Sequence, residues 1–156
     1  MAIPETILNS VGTWRGTSTL NLPWPPGQEK VEDSESTLII ATDPHQKYAH
    51  LAYDWAEDGT AQYGHAIIAG SSDSGKVQMA WTDSWHLSSD VMRLVGTGMS
   101  GAVNVLGEYE VEGYPAWGWR FTFEQEGENL TMKMFNISPE GEEVWAVSAT
   151  YERVSE

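Results

Sequence analysis

The chain has 156 residues, the length of about one domain. Its 8 Lys and Arg against 23 Asp and Glu give a net charge of −15 at neutral pH. That charge repels phosphate backbones and anionic membrane surfaces, so neither nucleic acid nor membrane is expected as a partner. The lack of cysteine excludes disulfides, zinc ribbons, thiolate nucleophiles and iron–sulfur clusters.

Eight Trp and six Tyr against three Phe favour aromatic rings that carry a polar handle, and 40% hydrophobic residues suffice for a core. Residues 1–8 show neither a basic run nor an apolar signal segment. No apolar stretch reaches the roughly 20 residues of a membrane span. A soluble, cytoplasmic, bacterial-type protein is the resulting expectation, as a monomer or homodimer.

In chain order, residues 4–9 predict a short helical turn and 11–20 a first strand. Three prolines make 21–28 a loop, because they remove ladder donors. Strands follow over 36–42 and 47–55, the second closed by the hairpin signal Asp58-Gly59. Alternation of period two then predicts strands over 61–69, 76–85, 91–99, 102–111, 116–125, 129–137 and 144–154, with breaks that include Ser100-Gly101. These are about ten strands in one domain spanning 1–156. Short strands joined by tight turns describe an all-β, antiparallel up-and-down meander. Closure into a barrel would remove its exposed edges.

Several short motifs carry a resemblance. Gly12-Thr13-Trp14-Arg15-Gly16 resembles the Gly-x-Trp opening of the calycins, the barrel superfamily of lipocalins and fatty-acid-binding proteins. Ala149-Thr150-Tyr151-Glu152-Arg153 is similar to their closing strand, whose basic residue packs over the first-strand tryptophan. Trp81-Thr82-Asp83-Ser84, Gly107-x-Tyr109, Trp119-Arg120 and Met134 followed by Pro139-Glu140-Gly141 are similar to an uncharacterised lipocalin-like bacterial family of unknown function. The resemblance implies a barrel with an internal cavity, and it implies that Trp14 and Arg153 close one end. The opening and Trp24-Pro25 also resemble the nitrobindins, which hold haem through a histidine on the last strand. Residues 144–154 contain no histidine, so no cofactor is expected.

Parity selects the candidate site, since alternate residues of a strand share a face. Over 76–85, one face carries Val77, Met79, Trp81, Asp83 and Trp85, and the other is small or polar. Trp81 and Asp83 are therefore placed inward. Pairing with the preceding strand is expected to set Tyr63, His65 and Ile67 beside them, and pairing with the next to set Arg93 near Asp83, with Val91 and Val95. A carboxylate among tryptophans needs a partner, because burying it alone costs several kcal/mol. Trp117, Trp119, Phe121 and Phe123 share a face opposite Leu130, Met132 and Met134, an adaptable wall for packing or for ligand contact. His45 and His86 lie at turns and are expected in solvent, and His50 is expected outward. The histidines show no metal-ligand spacing, and no metal site is expected. No nucleophile elbow or phosphate loop occurs, and no catalytic residue is assigned.

The functional expectation is a barrel that binds a small apolar or aromatic molecule, with Tyr63, His65, Trp81, Asp83, Arg93, Trp119, Met132 and Met134 as ligand-binding candidates. A cofactor-free isomerase, cyclase or lyase, with Asp83 or His65 as acid or base, is the alternative. A filled barrel acting as a protein-interaction module is the other.

Overall fold

On strand after strand, one side of the alternation is buried and the other is not. Over β5 (Lys76–Asp83), Val77, Met79, Trp81 and Asp83 are buried while Lys76, Gln78 and Ala80 are exposed. A computed structural model describes residues 3–99 and 101–155, and it places ten strands behind a short helix, α1 (Glu5–Leu8). The other strands are β1 (Gly12–Leu22), β2 (Lys30–Thr42), β3 (Tyr48–Glu57), β4 (Thr60–Gly70), β6 (Met92–Met99), β7 (Ala102–Val111), β8 (Tyr114–Glu126), β9 (Asn129–Ile137) and β10 (Glu143–Arg153). Each strand pairs antiparallel with its sequence neighbours, and β1 also pairs with β10, so the sheet closes into a barrel. Closure leaves no edge strand to recruit another chain.

β2 starts at Lys30 and not at 36. Its first half, Lys30 to Glu35, pairs with the far half of β1 through Leu22↔Lys30 and Ser18↔Ser34. The charged outward residues and small inward serines there blur the apolar alternation by which a half-buried strand is recognised. β5 stops at Asp83, so Trp85 belongs to the following loop. The expected break at 100–101 falls partly on Ser100, which lies outside the described residues, while Gly101 adopts a positive φ of 81°. No helix among the described residues is long and apolar enough to cross a membrane.

The two ends of the barrel differ. At one end α1 tucks Ile7 inside together with the preceding Ile3, and the buried Trp14 indole donates to the Ser10 carbonyl at 2.9 Å. Arg153 lies across the Trp14 ring, its guanidinium carbon 4.3 Å from the ring centroid. Its two terminal nitrogens donate to the Val11 and Asn9 carbonyls at 2.7 and 2.8 Å. The cation–π contact and the two hydrogen bonds tie the last strand to the entry of the first. At the other end, the connections 23–29, 84–91 and 138–142 surround a mouth. Between the ends, Leu38, Leu51, Ile68, Leu94, Phe121 and Phe123 fill the interior.

Candidate functional site

Asp83 is the last residue of β5 and is 1% exposed. Its Oδ2 accepts from the Tyr53 hydroxyl at 2.7 Å and from Trp55 Nε1 at 3.2 Å. Its Oδ1 accepts from the backbone N–H groups of Trp85 and His86, both at 2.9 Å. Trp81 Nε1 donates in turn to the Tyr53 hydroxyl at 3.0 Å. The carboxylate thus ties two interior aromatic residues of β3 to the first turn of the loop that leaves β5. Burial alone would push its pKa up. The His86 side chain, with its charge when protonated, the His86 backbone N–H and the Tyr53 hydroxyl outweigh burial and hold it below the usual 3.8. Tyr53 moves the other way: burial, then the charge and hydrogen bond of Asp83, raise its pKa well above 10.

That turn folds His86 back over the open end of the barrel, where its side chain is 9% exposed. Tryptophan rings surround it, with centroids of Trp85 at 4.8 Å, Trp55 at 5.4 Å, Trp119 at 5.5 Å and Trp81 at 6.1 Å. Trp81 and Trp119 stack on each other at 5.5 Å with planes 13° apart. His86 Nδ1 lies 3.3 Å from Asp83 Oδ1. Neither imidazole nitrogen meets hydrogen-bond geometry with a described residue, and neither does the Trp119 indole nitrogen, although all three are buried.

A pocket of about 140 Å3 opens nearby, with His86 and Trp119 among its lining residues. Leu22, Trp24, Trp85 and Trp145 belong to its largely apolar wall, and Asn21 and Asn136 add polar side chains to it. The β10 ladder shifts register between Trp145 and Val147, and this bulge turns residues 144–146 toward the pocket. A larger groove, of about 570 Å3, runs past Arg15, Glu35, Asp54 and Tyr63. Arg15, Glu35 and Tyr63 point away from the interior, so that groove opens on the outer surface.

Several expected placements need correction. Tyr63, His65 and Ile67 point outward, Tyr63 being 64% exposed and Ile67 49% exposed. The register sets Gly64, Ala66 and Ile68 against Asp83, Trp81 and Met79. Position 64 takes a glycine there because the Tyr53 ring fills the space beside it. A Cβ on Gly64 would sit 1.9 Å from Tyr53 Cζ. Arg93 also points outward, 3.4 Å from the Gln78 side chain, and Met92 and Leu94 take the interior in place of Val91 and Val95. Asp83 therefore meets hydroxyl, indole and amide donors where a guanidinium was expected. His86, expected in solvent, is enclosed. Trp81, Trp119, Met132 and Met134 do face the interior, with Phe121 opposite Met134 and Phe123 opposite Met132. Only Trp119 of these reaches the pocket. His50 points outward and stacks on His65 at 5.9 Å.

The residues present do not fit haem: β10 carries no histidine, and the pocket is smaller than the roughly 300–1,000 Å3 of drug-sized ligand sites. Among the described residues no group of three or more His, Cys, Asp or Glu could hold a metal ion.

Fold and site together define a closed ten-stranded antiparallel barrel with a buried Asp–Tyr–Trp network and a small aromatic pocket at one mouth. The chain is similar to the crystal structure of Rv2717c from M. tuberculosis, with a TM-score of 0.67 at 12% identity over 99% of this chain and 100% of that one. That similarity is one of fold alone. No family model and no curated protein matches the chain.

Proposed function

We propose that this protein is a calycin-type barrel that binds a small aromatic molecule in the pocket at its open end. The observation that carries the reading is the pocket itself: about 140 Å3, walled by Leu22 and tryptophans, with His86, Asn21 and Asn136 as its few polar side chains. Mostly apolar walls with few fixed polar groups are the general form of a small-molecule site. A cavity of about 150 Å3 is large enough to hold benzene, so the occupant is a compact molecule of about one ring. Asp83 supports binding over acid–base chemistry. Four hydrogen bonds and a lowered pKa keep it charged and committed to the fold.

Titration of the intrinsic tryptophan fluorescence with one-ring aromatic compounds tests the reading. A saturable change is expected, and Ala146→Trp, which puts an indole into the pocket wall, is expected to abolish it at an unchanged fold. If no one-ring compound gives a saturable change in the wild-type protein, the reading fails.

A further inference from the structure

Acidic side chains are spread unevenly over the outside of the barrel. β2, β7, β8 and β10 turn Asp33, Glu35, Glu108, Glu124 and Glu152 to solvent. β4, β5 and β6 together carry one acid, Asp83, and it points inward. The outer side of this wall, continued onto β3, is a grid whose rows follow the register. Tyr48, Ala69, Gln78 and Val95 form one row, and His50, Ile67, Ala80 and Arg93 the next. Ala52, His65 and Thr82 form the third. Among the described residues none of the grid's side chains is acidic. Its large apolar members stand out from the surface, Tyr48 at 45%, Ile67 at 49% and Val95 at 46% exposure.

Exposed apolar side chains gathered on one acid-free wall mark a contact surface. A second copy of a chain with net charge −15 is repelled wherever acids face outward, so two copies meet least repulsion on this wall. Its relief is also self-complementary. The two neighbours at its centre differ in size, Ile67 being large and Ala80 small. An isologous contact pairs residues reciprocally. A two-fold axis along the strands, between β4 and β5, therefore sets Ile67 of each copy over Ala80 of the other. The same axis brings Tyr48 of each copy to Val95 of the other. There a hollow of about 470 Å3, bordered by Ala69, Gln78, Arg93 and Val95, leaves room for the ring.

We propose that this outer wall of β3 to β6 is a dimerisation face whose occupant is a second copy of the chain. The size of the grid sets the strength of the contact. Four strands at about 4.8 Å spacing and five residues at about 3.4 Å rise make a plane of roughly 300–400 Å2. Ile39 on β2 and Leu106 on β7, both exposed, extend it on either side. Two copies then bury roughly 1,000 Å2 in total, the size of weak and reversible complexes. The dimer accordingly forms at protein concentrations on the order of 10–100 μM. The connections 23–29 and 138–142 at the mouth lie outside the grid, so the dimer leaves the pocket open.

Sedimentation velocity of the wild-type protein from about 5 μM to about 1 mM is the test, and a shift from monomer to dimer is expected across that range. Raising salt from about 0.05 M to about 0.5 M is expected to tighten the dimer, because it screens the repulsion between two acidic chains. Ile67→Glu and Val95→Glu, at exposed positions, are expected to keep the wild-type circular dichroism and to weaken the dimer at least about tenfold. Thr17→Glu, exposed on β1, is expected to leave it unchanged. One readout needs no variant: the wild-type amide resonances that move with concentration are expected in β3 to β6. A chain that stays monomeric at the highest concentration overturns the proposal. So does a dimer that both glutamate variants leave intact, or resonance shifts concentrated outside those strands. A dimer that salt dissolves overturns it as well, since ion pairs would then hold the two copies together.

Discussion

The Tyr53 hydroxyl donates to Asp83 Oδ2 across 2.7 Å inside the barrel, and it accepts from Trp81 Nε1 at 3.0 Å. One oxygen thus satisfies a buried carboxylate and a buried indole, on strands that do not themselves pair: β4 lies between β3 and β5. Removing that oxygen leaves the Trp81 indole N–H without its partner and takes from Asp83 one of its four hydrogen bonds, and an unpaired buried donor costs more than a hydrogen bond gains in a solvated setting. Tyr53→Phe is therefore expected to lower the unfolding free energy by about 1–3 kcal/mol, read as a lower urea midpoint at unchanged slope. A loss below about 0.5 kcal/mol would mean that the network contributes nothing beyond packing.

Gly64 opposite Asp83 is where the Tyr53 ring finds its room. A methyl group there would meet Tyr53 Cζ at 1.9 Å and the hydroxyl oxygen at 2.2 Å. Gly64→Ala is expected to cost about 1–3 kcal/mol through displacement of the ring. The three nearest atoms to that methyl all belong to Tyr53, so a double-mutant cycle with Tyr53→Ala should return a coupling energy on the order of 1 kcal/mol, the second substitution relieving the first. Additive losses would place the cost elsewhere.

Arg93 and Tyr63 show how far the residue pattern reaches. Period-two alternation is sufficient for ten strands and for the inward face of β5, where Val77, Met79 and Trp81 leave only one sensible choice. On β4 both parities contain apolar residues: Ile67 on one, Ala66 and Ile68 on the other. The large aromatic Tyr63 and the polar His65 look like site residues, yet the space inside is already taken by Tyr53 and Trp81, and only small residues fit. A neighbouring strand's side-chain volume decides that choice, and no single-strand pattern contains it. His86 is hidden for another reason. Its position depends on a turn capped by Asp83, and a turn has no period. The signal that could have found it is Asp83 standing immediately before Ser84-Trp85-His86, since an Asp side chain readily bonds backbone N–H groups two or three residues on. Because Arg93 and Tyr63 face solvent, Arg93→Ala and Tyr63→Ser are expected to change stability by less than about 0.5 kcal/mol and to leave probe binding as it was. A loss of binding in either variant would argue for the outer groove as the site.

Arg153 joins the last strand to the first through the Trp14 ring and the carbonyls of Asn9 and Val11. Arg153→Met keeps the aliphatic cover of the indole and removes the charge and the donors, for an expected loss of about 2 kcal/mol. Lysine is not a substitute here, since one ammonium lacks the planar fork that reaches two carbonyls and stacks on the ring at once. Arg153→Lys is thus expected to recover less than half of that loss. Amide exchange in residues 9–14 should accelerate in both variants while the rest of the barrel stays protected. Uniform acceleration would indicate that this closure is not local.

Buried ionisable groups set limits to stability at both extremes of pH. Asp83 has a pKa lowered from 3.8 in the folded protein, so the unfolded chain takes up its proton first as pH falls. Its contribution is complete above about pH 4, and it disappears as pH drops through the folded-state value. The stability gap between the wild-type protein and Asp83→Asn should therefore narrow on acidification below pH 4. Tyr151 gives the opposite sign. Burial raises its pKa from 10 to about 12, with the Ser36 hydroxyl, 2.8 Å away, opposing the shift in part. A raised tyrosine contributes fully below pH 10 and loses that contribution as pH climbs toward 12. Urea midpoints of wild type and Tyr151→Phe should converge across that interval, and the phenolate absorbance of at least one tyrosine should appear only with unfolding. Convergence already at neutral pH would show that the buried hydroxyl is not what holds Tyr151 in place.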